Sequence, residues 1–324
     1  MVGGFLAEPP AAAVGRVRYR AVRGRRRHPH PIVDKERSEA MDGIGDNSTV
    51  RRILLGSLLR KLRESVEITM KEAGYSIRAT ESKISRMETG KVSFRERDVA
   101  DLLALYKVED PEEREKILKL VREANAPGWW RSYSEVLPAW FEAYIGLESA
   151  ASVVRSYEIQ HVHGLLQCPE YMEAVVSANR ALPPSELTRR IELRRRRQSV
   201  FERPGAPMLW VVLDEAAVRR PVGGPPVMRA QIRHLIDQAD RPNVTIQLLP
   251  YSVGAHAAEG GAFTLLRFAE PELSDVVYLE HLTGAQYVER PEDVEQYARA
   301  MDRICVDALH PDATRAALES LLQA

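Results

Sequence analysis

Apolar residues recur at helical spacing in the first third of the chain, on both sides of a more polar segment. The first stripe consists of Leu55, Leu58, Leu59 and Leu62. The second stripe, at positions i, i+3, i+4 and i+7, consists of Val99, Leu102, Leu103 and Tyr106. Each pattern predicts an amphipathic helix that buries one face.

The polar segment between these stripes, residues 69–90, predicts two further short helices. Thr69 and Glu72 have the spacing of a capping box, in which each side chain accepts a hydrogen bond from the other's backbone N–H. Thr80 is a second N-cap candidate, and it begins a helix that runs to Glu88.

The second of these short helices has one apolar face. Ile84 and Met87 are three residues apart, so we expect both side chains to face the core. Gly90 follows where a left-handed C-terminal cap would lie. In the preceding helix, Ala73 and Gly74 are small enough for another helix to approach closely.

A fifth helix is predicted to begin at Asp110-Pro111, an N-cap followed by a proline at the first helical position. Ala-Pro-Gly at residues 126–128 ends it. Five short helices, the second and third forming a hairpin, resemble the plan of the lambda-repressor-like DNA-binding domains. KISRMETG, residues 83–90, is similar to the recognition-helix signature of the xenobiotic-response-element (XRE, repressor/Cro-like) regulators. We therefore expect an all-α helix-turn-helix domain over residues 51–126.

The resemblance implies that the helix beginning after Thr80 lies in a groove of double-stranded DNA. The candidate DNA-binding residues are polar or charged and lie on or beside the hairpin: Thr69, Thr80, Glu81, Ser82, Lys83, Ser85, Arg86 and Lys91. The basic members suit phosphates, whereas the acidic and hydroxyl members of the helix suit base edges. The alternative is a helical hairpin packed in a bundle, with its basic side chains simply solvated.

Four positions depart from the pattern of the XRE regulators. That family usually has glutamine at the positions of Met70 and Glu81, and glycine at the positions of Glu67 and Arg78. A side chain at a left-handed glycine position is strained. Glu81 can accept a hydrogen bond from a cytosine amino group, but its charge is unfavourable near phosphates. Base preference and affinity therefore stay open.

Residues 131–324 carry a different pattern, in which helices precede short strand-like runs. Helices are predicted at 139–150, 168–180, 184–203, 227–239, from Pro291 onward and at 312–322. Strands are predicted at 208–213, 244–249, 263–268 and 276–279. We therefore expect a small α+β domain with a mixed or antiparallel sheet, so that the whole chain is multidomain.

Three motifs of this second part resemble the C-terminal domain of a large actinobacterial regulator family. They are Tyr157-Glu158, GLLQ at 164–167 with Tyr171, and VVYLE at 276–280. The members join a repressor-like domain to this uncharacterised domain, are often described as antitoxin-like, and are usually encoded beside a small companion protein. The resemblance implies a domain that senses a partner protein or a ligand.

Composition narrows the class of protein. The formal net charge is zero, so attraction to DNA has to come from a local basic patch. Two cysteines, Cys168 and Cys305, fit a reducing compartment without a disulfide framework. No apolar run reaches the length of a membrane span, and no signal peptide is recognisable. We expect a cytoplasmic protein that does not bind membranes.

The N-terminal residues 1–50 are rich in Arg, Pro, Gly and Ala without a sustained period, which predicts disorder. One interpretation is a basic arm that follows the DNA backbone or enters a minor groove. The other, which we prefer, is a start-site artefact, because Met41 offers a start shortly before the first helix.

Candidates for chemistry in the second part are few. A strand would place His161 and His163 on one face, as a metal site requires, but no Cys/His cluster accompanies them. Glu158 and Glu280 are a candidate buried carboxylate pair, and Tyr278 either lines a pocket with Glu280 or is a core aromatic. No nucleophile elbow, P-loop or dinucleotide fingerprint is present. We therefore expect no metal, no cofactor and no enzymatic activity.

The densest basic cluster of the second part consists of Arg189, Arg190, Arg194, Arg195, Arg196 and Arg197. It predicts either a second phosphate contact or, as we prefer, a solvated helix face that nearby glutamates partly neutralise.

Together these patterns predict a sequence-specific DNA-binding transcriptional regulator. Its C-terminal domain is expected to form a homodimer or to sense a partner or ligand. The alternative is an antitoxin-like interaction module that sequesters the small companion protein, with weak or vestigial DNA binding.

Overall fold

The computed structural model of the protein describes residues 48–178, 182–203, 205–270 and 273–323. The predicted N-terminal arm lies outside the described residues as far as residue 47. None of the described helices combines the length and the apolarity that crossing a membrane requires.

The first part of the described chain is all-α, as its apolar stripes predict. Its helices are α1 (Ser48–Ser65), α2 (Met70–Ser76), α3 (Glu81–Glu88), α4 (Glu96–Leu105) and α5 (Pro111–Asn125). Both predicted stripes contribute to one core, in which Leu55, Leu59 and Leu103 are at most 1% exposed. Burial of these side chains removes apolar surface from water and holds the five helices together.

The second part begins with further helices and then forms a sheet. Its helices are α6 (Ala139–Ala150), α7 (Pro169–Ser177), α8 (Pro184–Gln198), α9 (Glu215–Arg219), α10 (Pro225–Gln238), α11 (Pro291–Asp307) and α12 (Pro311–Gln323). Its strands are β1 (Val153–Glu158), β2 (Met208–Asp214), β3 (Val244–Leu249), β4 (Phe263–Arg267), β5 (Val276–His281) and β6 (Gly284–Val288). The four predicted strands are confirmed as β2 to β5, whereas the sequence pattern missed β1 and β6.

Within the described residues the strands form one mixed sheet in the order β3-β2-β1-β4-β5-β6. The strands β1, β2 and β3 are mutually parallel neighbours, and β4, β5 and β6 continue the sheet in antiparallel pairs. The parallel half needs helical crossovers, which α7, α8 and α10 supply. The expected α+β class with a mixed sheet is therefore confirmed.

Both faces of the sheet are covered. One face packs Val211 and Leu248 against helices such as α10, and the other packs Val212 and Val277 against Met301 of α11. Successive strand residues point to opposite faces, so Val211 and Val212 belong to different cores. The cavity described below lies at one end of the core that contains Val211 and Leu248.

The two parts meet where α1 packs against α6 and the sheet end. Val50 and Leu54 of α1 are buried with Leu273. Gly146 of α6 lies so close to α1 that an added Cβ would be 2.5 Å from the Thr49 hydroxyl oxygen. Glycine therefore permits a close approach between the first helix of the all-α part and the first helix of the α+β part.

The turns of the all-α part carry the strain that the sequence predicts. Glu67 and Arg78 adopt φ values of 57° and 54°, and Gly90 adopts 68° as a C-terminal cap. The first two residues occupy positions where the XRE regulators, which this segment resembles, usually have glycine. Each left-handed residue with a side chain costs of order 1 kcal/mol.

Gly56 allows α1 to touch the end of α3, and we expect Gly56→Ala to destabilise the all-α part. An alanine Cβ would lie 2.6 Å from the Glu88 carbonyl oxygen, and backbone atoms there cannot move aside easily. We expect a loss of about 1–3 kcal/mol in the free energy of unfolding, which exceeds the gain of roughly 1 kcal/mol in helix propensity. Urea denaturation followed by circular dichroism measures it, with Ser57→Ala as the neighbouring control. Equal or higher stability of Gly56→Ala would contradict the close packing.

Candidate functional site

The helix α3 is fixed at its start by the predicted cap. The Thr80 hydroxyl accepts a hydrogen bond from the Lys83 backbone N–H at 3.2 Å. The capping box before α2 is also present, with the Thr69 N–H donating to the Glu72 carboxylate at 2.8 Å. Ile84 is 1% exposed, so one side of α3 is anchored in the core as predicted.

The end of α3 is fixed by a buried ion pair that the sequence did not reveal. The Arg63 guanidinium of α1 donates to both carboxylate oxygens of Glu88, at 2.6 and 2.9 Å, and also to the Ile68 carbonyl at 2.9 Å. The hydrogen bond to Glu88 raises the pKa of Arg63. A bidentate pair fixes both distance and orientation, so α3 is held rigidly on α1.

The opposite side of α3 is polar and faces solvent. Glu81, Ser82 and Arg86 are exposed, and Ser85 and Lys83 are half-buried. No described residue forms an ion pair or hydrogen bond with the Arg86 guanidinium. This side chain is therefore available to a phosphate or a base edge.

The two candidate lysines differ from Arg86 because each has a carboxylate partner. The Lys83 ammonium lies 2.7 Å from the Asp98 carboxylate of α4. The Lys91 ammonium lies 3.5 Å from the Glu289 carboxylate, which follows β6 in the α+β part. A phosphate would have to replace these partners before either lysine could contribute to DNA affinity.

A cavity of about 410 Å³ lies in the α+β part, between α6, α8 and the ends of β1 and β5. Its wall includes Phe141 and Tyr144, whose rings stack at 5.2 Å, and Tyr278, whose ring centroid lies 4.2 Å from that of Tyr144. The rest of the lining is rich in charged and polar side chains, and the volume lies within the range of small-ligand sites.

A second buried ion pair supports this wall. Arg197 of α8 donates from Nε and Nη2 to the two carboxylate oxygens of Glu148 of α6, at 2.9 and 2.8 Å. Burial disfavours the charged forms of both groups. Their mutual attraction is stronger, because it raises the pKa of Arg197 and lowers the pKa of Glu148. The guanidinium also lies 5.0 Å from the Phe141 ring centroid, so the pair positions the aromatic wall.

Three charged groups face the cavity without such a partner. No described residue forms an ion pair with Glu158, Glu280 or Arg194. Among the residues that the structure describes, the Glu158 carboxylate accepts a hydrogen bond from the Ser156 hydroxyl alone, at 2.8 Å, and the Glu280 carboxylate from the Tyr278 hydroxyl alone, at 3.0 Å. Both carboxylates of the candidate pair thus line the cavity, but they are not a buried pair, because Glu158 is half-buried and Glu280 is exposed. Tyr278 both belongs to the core and lines the pocket.

The pKa values of Glu158 and Arg194 reflect burial. The pKa of Glu158 is raised to about 7, chiefly because burial disfavours its charged form; Ser156 opposes this rise and negative Glu280 adds to it. The pKa of Arg194 falls to about 10, first because of burial and then because Arg197 repels it. Both groups would gain from a ligand of opposite charge.

The structure corrects two expectations about this region. The alternative in which a strand places His161 and His163 on one face is wrong, because β1 ends at Glu158 and His163 caps a 3-10 turn. Burial lowers the pKa of His163 to about 4, so its neutral ring accepts from the Leu165 N–H. Among the described residues no three His, Cys, Asp or Glu side chains form a group that could hold a metal.

The arginine cluster is the second correction. Neither a phosphate contact nor a solvated face describes Arg194 and Arg197, since both point into the protein. Arg189 and Arg190 do follow the preferred interpretation, with Arg189 3.0 Å from Glu135 and Arg190 2.7 Å from Glu186. The sequence alone could not distinguish the inward-pointing arginines from the solvated ones, because Glu148, the partner of Arg197, lies 49 residues away.

Comparison with known protein families identifies the two parts of the chain. The model of a domain of unknown function (DUF5753) matches residues 141–320, more than half of the chain. The chain belongs to the DUF5753 family. A helix-turn-helix domain model matches residues 54–117, so a helix-turn-helix DNA-binding region precedes the DUF5753 domain. No curated protein and no solved structure matches the chain. The XRE subfamily, the actinobacterial and antitoxin-like relationships, the companion protein and the homodimer stay predictions.

The raised pKa of Glu158 leads to a prediction about how the stability of the protein depends on pH. The pKa of Glu158 is higher in the folded protein than in the unfolded chain, so its contribution to stability is present below about pH 4.5 and lost as pH rises through 7. Glu158→Gln removes that loss. We expect it to raise the free energy of unfolding by about 1–3 kcal/mol at pH 8 and to have no effect at pH 4.

Thermal or urea unfolding at both pH values measures this difference. Glu173→Gln, at an exposed position of α7, is the control for loss of one carboxylate. A Glu158→Gln variant that is less stable than the original protein at pH 8 would show that Glu158 is held charged by an attractive contact.

Proposed function

We propose that the protein is a sequence-specific transcriptional regulator that binds a duplex operator through α3. The exposed polar face of α3 carries this proposal, together with the Arg86 guanidinium, to which no residue in the described part of the chain is bonded. The rest of the helix supports it, because the Thr80 cap and the Arg63–Glu88 pair hold that face in a fixed orientation. A helix presented rigidly in this way can reach base edges in the major groove.

We further propose that the DUF5753 domain senses a ligand through its cavity. The helix α6 supports this role because it has two functional faces. Phe141 and Tyr144 line the cavity, whereas Gly146 and Ala150 pack against α1 near Thr49. The helix α1 in turn holds α3. A ligand that shifts α6 would therefore change the position of the DNA-binding helices through direct packing contacts.

Selection of bound duplexes from a random DNA pool by the full chain tests the DNA-binding role. We expect one enriched motif, because α3 presents exposed Glu81, Ser82 and Arg86 to the groove. Arg86→Ala should lower affinity for that motif by about 1–3 kcal/mol, roughly tenfold or more. Lys83→Ala should have the smaller effect, because the lysine has to leave Asp98 before it can contact DNA.

Arg303→Ala is the control, since it removes the same charge from an exposed position of α11 and should leave affinity unchanged. Failure of the full chain to enrich any motif would contradict a sequence-specific regulator and favour the protein-sequestering alternative. Equal losses for Arg303→Ala and Arg86→Ala would show that only overall charge matters.

A further inference from the structure

The cavity of the DUF5753 domain contains charges of both signs that the protein does not neutralise. Glu158 and Glu280 are supplied by β1 and β5, and Arg194 is supplied by α8. No described residue lies within ion-pair distance of any of the three. Glu280 stabilises the Arg194 charge only at longer range. Glu158 and Arg194 are half-buried, whereas Glu280 is exposed at the rim. A partly desolvated charge without a partner is costly, so the presence of Glu158 and Arg194 in one cavity needs a reason beyond stability.

The neighbouring Arg197 shows that an arginine on this face of α8 can be paired with a carboxylate. Arg194 and Arg197 are three residues apart and share one face of α8. Arg197 is matched by both oxygens of Glu148. Arg194 instead donates at 3.2 Å to the neutral side chain of Gln167. The helix α8 thus carries one arginine whose charge is neutralised by Glu148 and one whose charge has only a neutral hydrogen-bond partner among the described residues.

Two of the unmatched charges, Arg194 and Glu158, are nevertheless held in place by neutral, buried groups. Gln167 is 3% exposed, and its amide donates to the Val162 carbonyl at 2.7 Å while its oxygen orients Arg194. Ser156 is fully buried, lies 3.0 Å from the Thr264 hydroxyl and donates to Glu158. These contacts fix the direction of both charges without neutralising either, which is how a preorganised binding site is built.

The rest of the wall specifies the body of the ligand. Phe141, Tyr144 and Tyr278 form a continuous aromatic surface beside the carboxylates. Such a surface favours an aromatic or branched apolar group, and aromatic faces also attract cations. An anionic ligand would leave both carboxylates unmatched, and a simple amine would leave Arg194 unmatched. A ligand that carries an ammonium and a carboxylate satisfies all three charges.

We propose that this cavity binds a zwitterion of the amino-acid class, a free amino acid or short unblocked peptide with an aromatic or branched apolar side chain. Its ammonium group lies against Glu158 and Glu280, its carboxylate pairs with Arg194, and its side chain packs against the aromatic wall. This inference rests on the sensing role proposed above and names the ligand class for it.

Calorimetric titration of the full chain without DNA tests the ligand class directly. The probes are the free L-amino acids and unblocked dipeptides of apolar residues, each at up to millimolar concentration. We expect at least one to bind. Removal of either charge from that probe should weaken binding tenfold or more; for phenylalanine the two analogues are phenethylamine and 3-phenylpropionate. No binding by any probe overturns the proposal, as does equal binding of the amine or the acid.

Two variants assign the charges to their partners. In Arg194→Gln the amino acid and its decarboxylated amine should bind equally, because the carboxylate has lost its partner. In Glu158→Gln the amino acid should lose most of its advantage over the deaminated acid. Arg195→Gln and Glu173→Gln, at exposed positions of α8 and α7, are the matched controls and should bind like the original protein. Unchanged discrimination in both cavity variants, with circular dichroism showing that they fold, overturns the assignment.

Failure of the zwitterion proposal can be distinguished from failure of the DNA-binding proposal. Titration without DNA reports only on the cavity, and duplex selection without added ligand reports only on α3. Ligand binding without any enriched DNA motif would leave the zwitterion site standing and remove the regulator. An enriched motif without zwitterion binding would do the reverse.

Discussion

The buried pair of Arg197 and Glu148 is the interaction on which the α+β part depends most. It joins α6 to α8 across the base of the cavity, and a bidentate pair tolerates little change in either distance or angle. Loss of one partner would leave the other as an unmatched buried charge, which typically costs 3–5 kcal/mol. The pair therefore fixes the position of α6 relative to α8. That position in turn determines the arrangement of the aromatic wall and the shape of the cavity.

An analogous pair serves the all-α part, where Arg63 and Glu88 join α1 to the end of α3. The two pairs are linked through α1 and α6, which pack against each other near Thr49 and Gly146. The cavity and the candidate DNA-binding face of α3 are thus connected through packed helices rather than through loops. Such an arrangement transmits a change of position as a movement of whole helices, because close-packed elements deform little.

The sequence predicts the all-α part well because its determinants are local. The capping box of Thr69 and Glu72 and the apolar pair of Ile84 and Met87 each lie within a few residues, so no knowledge of the fold is needed. The strand β1 escapes prediction for the opposite reason. Arg155 and Ser156 are buried inside it, and Arg155 is matched by Asp302, which is 147 residues distant. Its sequence therefore lacks the alternation that marks a half-buried strand.

The cavity was only partly predictable. Glu158, Glu280 and Tyr278 were recognisable as candidates because they lie in the motifs that resemble the regulator family, Tyr157-Glu158 and VVYLE at 276–280. The inward direction of Arg194 and Arg197 was not, since six nearby arginines look alike along the chain and long-range partners distinguish them. Positions with positive φ were predictable at Glu67 and Arg78, because the resemblance to a family with glycine there supplied the expectation.

The carboxylates beside Lys83 and Lys91, the two candidate DNA-binding lysines, have a consequence for how DNA binding would respond to ionic strength. A free basic side chain that meets a phosphate releases a condensed cation from the duplex. When Lys83 leaves Asp98, or Lys91 leaves Glu289, the abandoned carboxylate is exposed and attracts a cation in turn. The two exchanges offset one another. The salt dependence of DNA affinity would then be shallower than the number of basic residues at the interface implies, and the protein would keep more of its affinity as salt rises.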